Sequence, residues 1–267
     1  MKKKKLEGKV AVISGGSSGI GYAIAKRLKE QGVRVFNISR SKFSDKCFEE
    51  SFSCDITDGE KLKETASQIE KTVGKIDMLF CNAGMGIAGK IENATLDAID
   101  KIMNVNLTSQ IKMTNIFLPI LNDGGKIFYT GSLAAILPLP YQACYSSTKA
   151  GLLTFARALR TELKSRKISV TTFLPTDTKT GFTDARIKSK KVDEKEQHGI
   201  MKMEKEERNG KTPDYTAKRV LKLVKKKKPP IYTTTGGYGC LPGWMIIFLL
   251  KVLPTKFVDW LIEKLYL

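Results

Sequence analysis

Near its start the chain runs from a short β-branched stretch, Lys9 to Ser14, into four glycines within seven residues (Gly15, Gly16, Gly19 and Gly21). The next segment has apolar residues at helical spacing (Ile20, Ala23, Ile24, Leu28) and closes at Gly32. A buried strand that passes through glycines directly into a helix is the feature that most narrows the fold. Such a turn leaves the first N–H groups of the helix without partners, and positions without side chains let the backbone approach an anion, so the turn suits a pyrophosphate. Ser14, Gly15, Ser17, Ser18, Gly19, Ile20 and Gly21 are its candidate ligands. The spacing is Gly-x-x-x-Gly-x-Gly rather than GxGxxG. Taken alone, it also fits a tight turn that binds nothing.

The same unit recurs along the chain. Val33 to Ser39, Ile76 to Cys81, Gly125 to Thr130 and Ile168 to Phe173 read as strands, and Thr57 to Val73, Thr95 to Leu121 and Tyr145 to Ser165 as helices between them. This alternation predicts an α/β fold: a doubly wound, Rossmann-like parallel sheet with helices on both faces. No linker interrupts the pattern before about residue 180, so residues 1–267 read as one domain. Past Pro175 the sequence turns polar. Residues 181–211 read as an inserted loop above the sheet, Thr212 with Pro213 starts a further helix, and Ile231 to Thr235 forms a last strand.

The tail, 240–267, is apolar. Trp244 to Leu250 and Phe257 to Leu267 are separated by Lys251 and Pro254, too early for the roughly 20 apolar residues that cross a bilayer. Trp244, Trp260 and Tyr266 with Lys251, Lys256 and Lys264 suit helices lying in a membrane interface, and equally suit packing on the core or a dimer contact.

Charge and composition exclude several functions. Lys plus Arg number 46 against 27 Asp plus Glu, a net +19, of which residues 1–10 and 160–230 supply 15. The stretch 183–228 interleaves those charges with a single aromatic, Tyr215, so nucleic-acid binding is not expected. Residues 184–211 read instead as a solvated face, able to attract anionic substrates or membranes. Five scattered cysteines without a CxxC pair point to reduced thiols in the cytoplasm and to no metal site. Lys2 to Lys5 is not followed by an apolar core, so secretion is not expected. The only histidine, His198, lies among lysines and glutamates, which removes histidine-based triads and leaves proton chemistry to Tyr, Lys or carboxylates.

The second strand ends Asn37-Ile38-Ser39-Arg40, without a carboxylate. An acid there would bind the adenosine ribose of NAD, whereas a guanidinium can take the 2′-phosphate of NADP bidentately, so NADP(H) is the expected cofactor. The alternative is a solvated arginine at a strand end. Further on stand Asp55, Asn82-Ala83-Gly84, Asn106, Ser132 and the pair Tyr145 and Lys149, one helical turn apart on one face. A neighbouring ammonium favours tyrosinate, so Lys149 is expected to lower the Tyr145 pKa into a working range.

With these motifs in this order over residues 8–182, the chain resembles the short-chain dehydrogenase/reductase family. The resemblance implies Tyr145 as general acid/base, Lys149 on the nicotinamide ribose, Ser132 polarising a substrate carbonyl and Asn106 holding a relay water. It further implies Arg40 on the 2′-phosphate, Asp55 and Ile56 at the adenine, Asn82, Ala83 and Gly84 along the adenosine side, and Pro175, Thr178 and Thr180 near the nicotinamide amide. Thr176 stands where the family carries glycine, which puts the geometry of that turn in question. A homodimer or homotetramer is also implied. The expected reaction is hydride transfer between NADP(H) and a secondary alcohol or ketone of an apolar substrate, with steroids and bile acids first and long-chain, sphingoid or 3-oxoacyl ketones as the alternative. The rival of another class is a non-catalytic membrane-surface regulator on the same fold.

Overall fold

The computed structural model describes residues 6–137, 139–189, 192–237 and 242–266, without the side chains of 243, 251, 265 and 266. Lys2 to Lys5, Cys240 and the side chains of Lys251 and Tyr266, all invoked above, lie outside the described residues.

The strands are β1 (Val10–Ser14), β2 (Arg34–Ser39), β3 (Glu50–Ser53), β4 (Ile76–Cys81), β5 (Ile87–Ala88), β6 (Leu121–Thr130), β7 (Ser169–Leu174), β8 (Ile187–Lys188) and β9 (Tyr232–Thr234). Seven of them form one parallel sheet in the order β3-β2-β1-β4-β6-β7-β9, and β5 pairs with β8 outside it. The helices are α1 (Gly19–Glu30), α2 (Gly59–Val73), α3 (Leu96–Met103), α4 (Ser109–Phe117), α5 (Ala143–Glu162), α6 (Glu194–Arg208), α7 (Pro213–Lys225), α8 (Gly243–Val252) and α9 (Thr255–Tyr266). One core packs α2, α4 and α5 on one face of the sheet around Phe36, Leu79, Phe117 and Tyr129. The other packs α1 and α7 on the opposite face around Ile13, Phe80, Phe128 and Phe173. The doubly wound sheet is thus as the alternation predicts.

The chain winds outward from β1 through β2 to β3, then returns to place β4 on the other side of β1. That reversal opens a crevice beyond the carboxyl ends of β1 and β4, where ligands bind in sheets of this topology.

The expected helix from Thr95 to Leu121 is continuous through α3 and α4 but changes its winding between them. Residues Asn104–Thr108 are π-helical between α3 and α4, and Leu121 already belongs to β6. The charged stretch 184–211 is not merely a solvated face. Arg186, Glu196 and Glu204 are buried, Glu196 accepts the Lys90 N–H at 2.8 Å, and α6 packs Ile200 and Met203 against Ala88.

Candidate active site

A cavity of about 790 Å³ lies over the carboxyl ends of the strands. Gly15 (φ 66) and Gly19 (φ 53) shape its floor in the left-handed region. A Cβ on Gly15 would stand 2.9 Å from the Ala83 backbone, and one on Gly21 2.3 Å from the Gly15 carbonyl. Three strands pin this turn. From β1, Ser14 Oγ accepts the N–H groups of Asn82 and Ala83 at 3.0 and 3.1 Å. From the end of β4, Asn82 Nδ2 donates to the carbonyls of Ser14 and Gly15, each at 3.1 Å, while its Oδ1 accepts from Thr130. From β2, the buried Asn37 accepts the Gly16 N–H at 2.9 Å.

Of the proposed pyrophosphate ligands, Gly15, Ser17, Ser18, Gly19 and Ile20 line the cavity. Ser14 and Gly21 do not: the Ser14 hydroxyl is consumed in joining β1 to β4, and Gly21 serves by being small. Ser18 caps α1 without a side-chain hydrogen bond, and no acid occupies the first turn, so the free N–H groups meet the cavity unopposed. The residues present therefore fit a dinucleotide.

Arg40 is exposed at the far end of the cavity and forms no ion pair among the described residues. Asp55 Oδ1 accepts from the N–H and hydroxyl of Thr57, at 2.9 and 2.8 Å, so this carboxylate shapes its own turn. Ile56, Asn82, Ala83, Gly84, Pro175, Thr178 and Thr180 all line the cavity. The turn with Thr176 is intact. The buried Thr176 side chain lies against Gly236, where a Cβ would come 2.5 Å from its Oγ1, so the room lost at 176 is recovered at 236.

At the inner end, α5 presents Tyr145 and Lys149. Lys149 Nζ sits 5.7 Å from the Tyr145 ring centroid and donates to the Thr130 carbonyl at 2.9 Å. Ser132 begins the short 3₁₀ turn Leu133–Ala135, accepts the Ala134 N–H at 3.1 Å and lines the cavity together with Tyr145. Asn106 is fully buried. Its Oδ1 accepts the Met85 N–H at 2.8 Å, and its Nδ2 donates to the Met85 carbonyl and to Thr148. The side chain therefore clamps the loop after β4 to α5, with its oxygen and its nitrogen both engaged by protein groups.

The expected lowering of the tyrosine pKa does not arise from the protein's own groups. Burial, opposed by the Ser132 hydroxyl and the Arg186 charge and aided by Glu207, pushes Tyr145 up to about 12. Lys149, buried and turned to a neutral carbonyl, is itself pushed down to about 8 and so offers less positive charge. Asp177 is raised to about 6 by burial and by Glu206 and Glu207.

Several residues of the site left little sequence signal. Asn37 is a polar residue in an apolar strand, an oddity that can be read only once the strand is known to be buried. Phe182, Thr183, Glu206 and Glu207 line the cavity from the polar insertion. In sequence Glu207 looks like any surface glutamate.

This arrangement of glycine turn, crevice, serine, tyrosine and lysine is that of a dinucleotide-binding oxidoreductase, and the chain belongs to the short-chain dehydrogenase family, whose family model matches residues 9–191. Among curated proteins it is 31% identical to a 3-ketodihydrosphingosine reductase of Bacteroides thetaiotaomicron, over 97% of this chain and 96% of that one. Its fold matches a short-chain dehydrogenase/reductase of Burkholderia phymatum in complex with NAD (TM-score 0.79, 20% identity, 94% of each chain). It also matches a short chain dehydrogenase of Burkholderia cenocepacia in complex with NADP (TM-score 0.71, 27% identity, 86% of this chain and 97% of that one). The protein is an oxidoreductase acting on carbonyl or hydroxyl groups.

Proposed function

We propose that the protein is an NADPH-dependent reductase of a long-chain ketone with a polar, amino-bearing head. The observation that carries this reading is the cavity itself, which joins Tyr145, Ser132 and Lys149 to an aliphatic wall of Ile246, Leu249, Leu250 and Leu253 from α8 and its C-terminal cap with Val258, Leu261 and Ile262 from α9. A ten-residue helix such as α8 is about 15 Å long, room for an extended alkyl chain. Asp177 and Glu206 line the same space, a setting for an ammonium. The relative in Bacteroides, similar over nearly the whole chain, is named for such a substrate, a long-chain amino ketone. Steroids and bile acids gain no comparable support, and the carboxylates in the cavity oppose the acidic side chain of a bile acid.

Bound at the glycine turn, the nicotinamide cofactor supplies the hydride. Gly15, Ser17, Ser18 and Gly19 would hold the pyrophosphate, and Arg40 the 2′-phosphate, which favours NADP(H). Lys149 keeps two N–H donors beyond its bond to Thr130 for a ribose. Ser132 Oγ orients and polarises the carbonyl, and Tyr145 Oη donates the proton to the oxygen as charge develops there. A neutral phenol is the form needed for reduction, and a pKa raised toward 12 keeps it so throughout the physiological range. Tyr145→Phe should lower kcat/KM for ketone reduction by roughly 10²–10⁴ while leaving the Kd for NADPH within about twofold. Retained turnover in that variant overturns the reading.

The tail also supports a place for the reaction. Trp244, Phe248 and Val252 on α8, and Phe257 and Trp260 on α9, are exposed, while the inner faces of the same helices line the cavity. No helix among the described residues is long and apolar enough to cross a membrane. The outer faces of α8 and α9 rest on a membrane surface, with Lys256 and Lys264 beside them, so that an amphiphile passes from bilayer to cavity along one hairpin.

A further inference from the structure

Arg186 is buried, its side chain 2% exposed, in the segment that leads into β8. Its Nη2 pairs with Glu207 Oε1 on α6, while Nε and Nη1 have no hydrogen-bond partner among the described residues. The other Glu207 oxygen accepts from Thr183 Oγ1 at 2.7 Å. The guanidinium lies 5.9 Å from the Phe182 ring centroid, and Phe182 in turn lies 5.9 Å from the Tyr145 ring at an interplanar angle of 59°. Gly86 makes room for this stack: a Cβ there would stand 3.0 Å from Phe182 and 3.1 Å from Arg186 Nε.

A buried ion pair seldom stabilises a fold more than an apolar pair of the same volume, so stability alone does not account for charges in this place. What they face is Tyr145. The titratable and charged groups around the phenol are Lys149 and Cys144 on its own helix, Lys101 on α3, Asp177 after β7, Glu206 and Glu207 on α6, and Arg186 before β8. Of the carboxylates and guanidinium groups among them, Glu207 and Arg186 are the two whose charge reaches the hydroxyl, with opposite signs.

We propose that Arg186 and Glu207 form a positioning pair for the proton donor, seating the Tyr145 ring through Phe182 and balancing the charge about its hydroxyl. The pair belongs to the segment that receives the substrate, so the fit of that segment and the readiness of the acid are joined in one structure. This inference rests on the reading of Tyr145 as the proton donor.

The test is the split between kcat and KM for ketone reduction with NADPH, measured for the full chain at about pH 6.5, below the range in which Lys149 and Tyr145 lose their protons. Arg186→Met and Glu207→Gln should each lower kcat by about tenfold with KM for the ketone and Kd for NADPH within about threefold. The double variant Arg186→Met with Glu207→Met leaves no uncompensated charge and should be less impaired than the product of the two single losses. Arg186→Lys keeps the charge and should stay closer to the parent than Arg186→Met. If Arg186→Met does not fold, Glu207→Gln and Arg186→Lys still decide the matter. Equal changes in kcat and KM, or single losses that simply multiply in the double variant, overturn the proposal. Loss of turnover in Tyr145→Phe checks the donor separately, so failure of the pair is not confused with failure of the donor.

Discussion

Lys149 holds an ammonium where water hardly reaches, with a carbonyl as its partner among protein groups. Its pKa falls to about 8 for that reason, so at pH 7 the folded chain carries a proton that the site resists. In the unfolded chain the same group keeps its ordinary value, and the difference disfavours folding below about pH 8 and fades as the pH rises above it. Lys149→Met should therefore abolish turnover yet raise Tm at pH 7, by about 2–6 °C if one or two of the roughly 3 kcal/mol at stake are recovered. The gain should shrink above pH 8, and an unchanged or lowered Tm at pH 7 in a thermal melt contradicts this account. Such a residue is legible in sequence because its partner is fixed by spacing: Tyr145 and Lys149 are one turn apart whatever surrounds them. Ser14, Asn37 and Asn106 were harder to place. Their side chains bond to backbone brought near only by the sheet, so nothing local distinguishes a serine that staples two strands from one that meets a phosphate.

Among the elements, the long strands and helices follow from periodicity, and β3, β5 and β8 do not. β3 is a polar edge strand, Glu-Ser-Phe-Ser, and β5 and β8 have two residues each, too few for an alternation to show. The π-helical turn at Asn104–Thr108 was hidden for a different reason, because one extra residue in a turn leaves the apolar spacing nearly unchanged. The tail hairpin could be recognised as apolar, but which of its faces met the cavity could not. Trp244 and Trp260 are the only tryptophans of the chain and both are exposed, 70% and 50%, so they report directly on what covers α8 and α9. Vesicles with anionic lipid should shift their emission to the blue. Phe248→Ser should weaken vesicle binding about tenfold or more, since a buried phenylalanine contributes about 1.5–3 kcal/mol. Unchanged emission with vesicles, together with concentration-dependent sedimentation, would assign this face to a second copy instead.

Over the whole molecule, the dinucleotide crevice joins six of the seven strands of the main sheet, because Gly15, Ser39, Cys54, Asn82, Thr130 and Pro175 at or just beyond strand ends all line it. Ligand binding there should stabilise the entire domain rather than a part of it. At a hundredfold excess over Kd the gain is about 2.7 kcal/mol, which for a chain of this size raises Tm by about 5–10 °C. NADPH should give the larger shift and NADH the smaller at equal concentration, and Arg40→Ala should reduce the difference, with kcat/KM for the two cofactors changing in parallel. Equal shifts in the parent protein would remove Arg40 from 2′-phosphate recognition. The segment over the substrate end is attached differently from everything beneath it. Ile187 N–H reaches the Gly86 carbonyl at 3.0 Å and Ser189 N–H the Ala88 carbonyl at 3.2 Å, the two strands running side by side. Main-chain bonds of this kind are indifferent to the side chains they carry. Apart from Arg186, Glu196 and Glu207, the segment can therefore be rewritten residue by residue, and a new specificity grafted on, while its register over the acid stays fixed, which makes these few amides a part of the molecule that an enzyme engineer should leave alone.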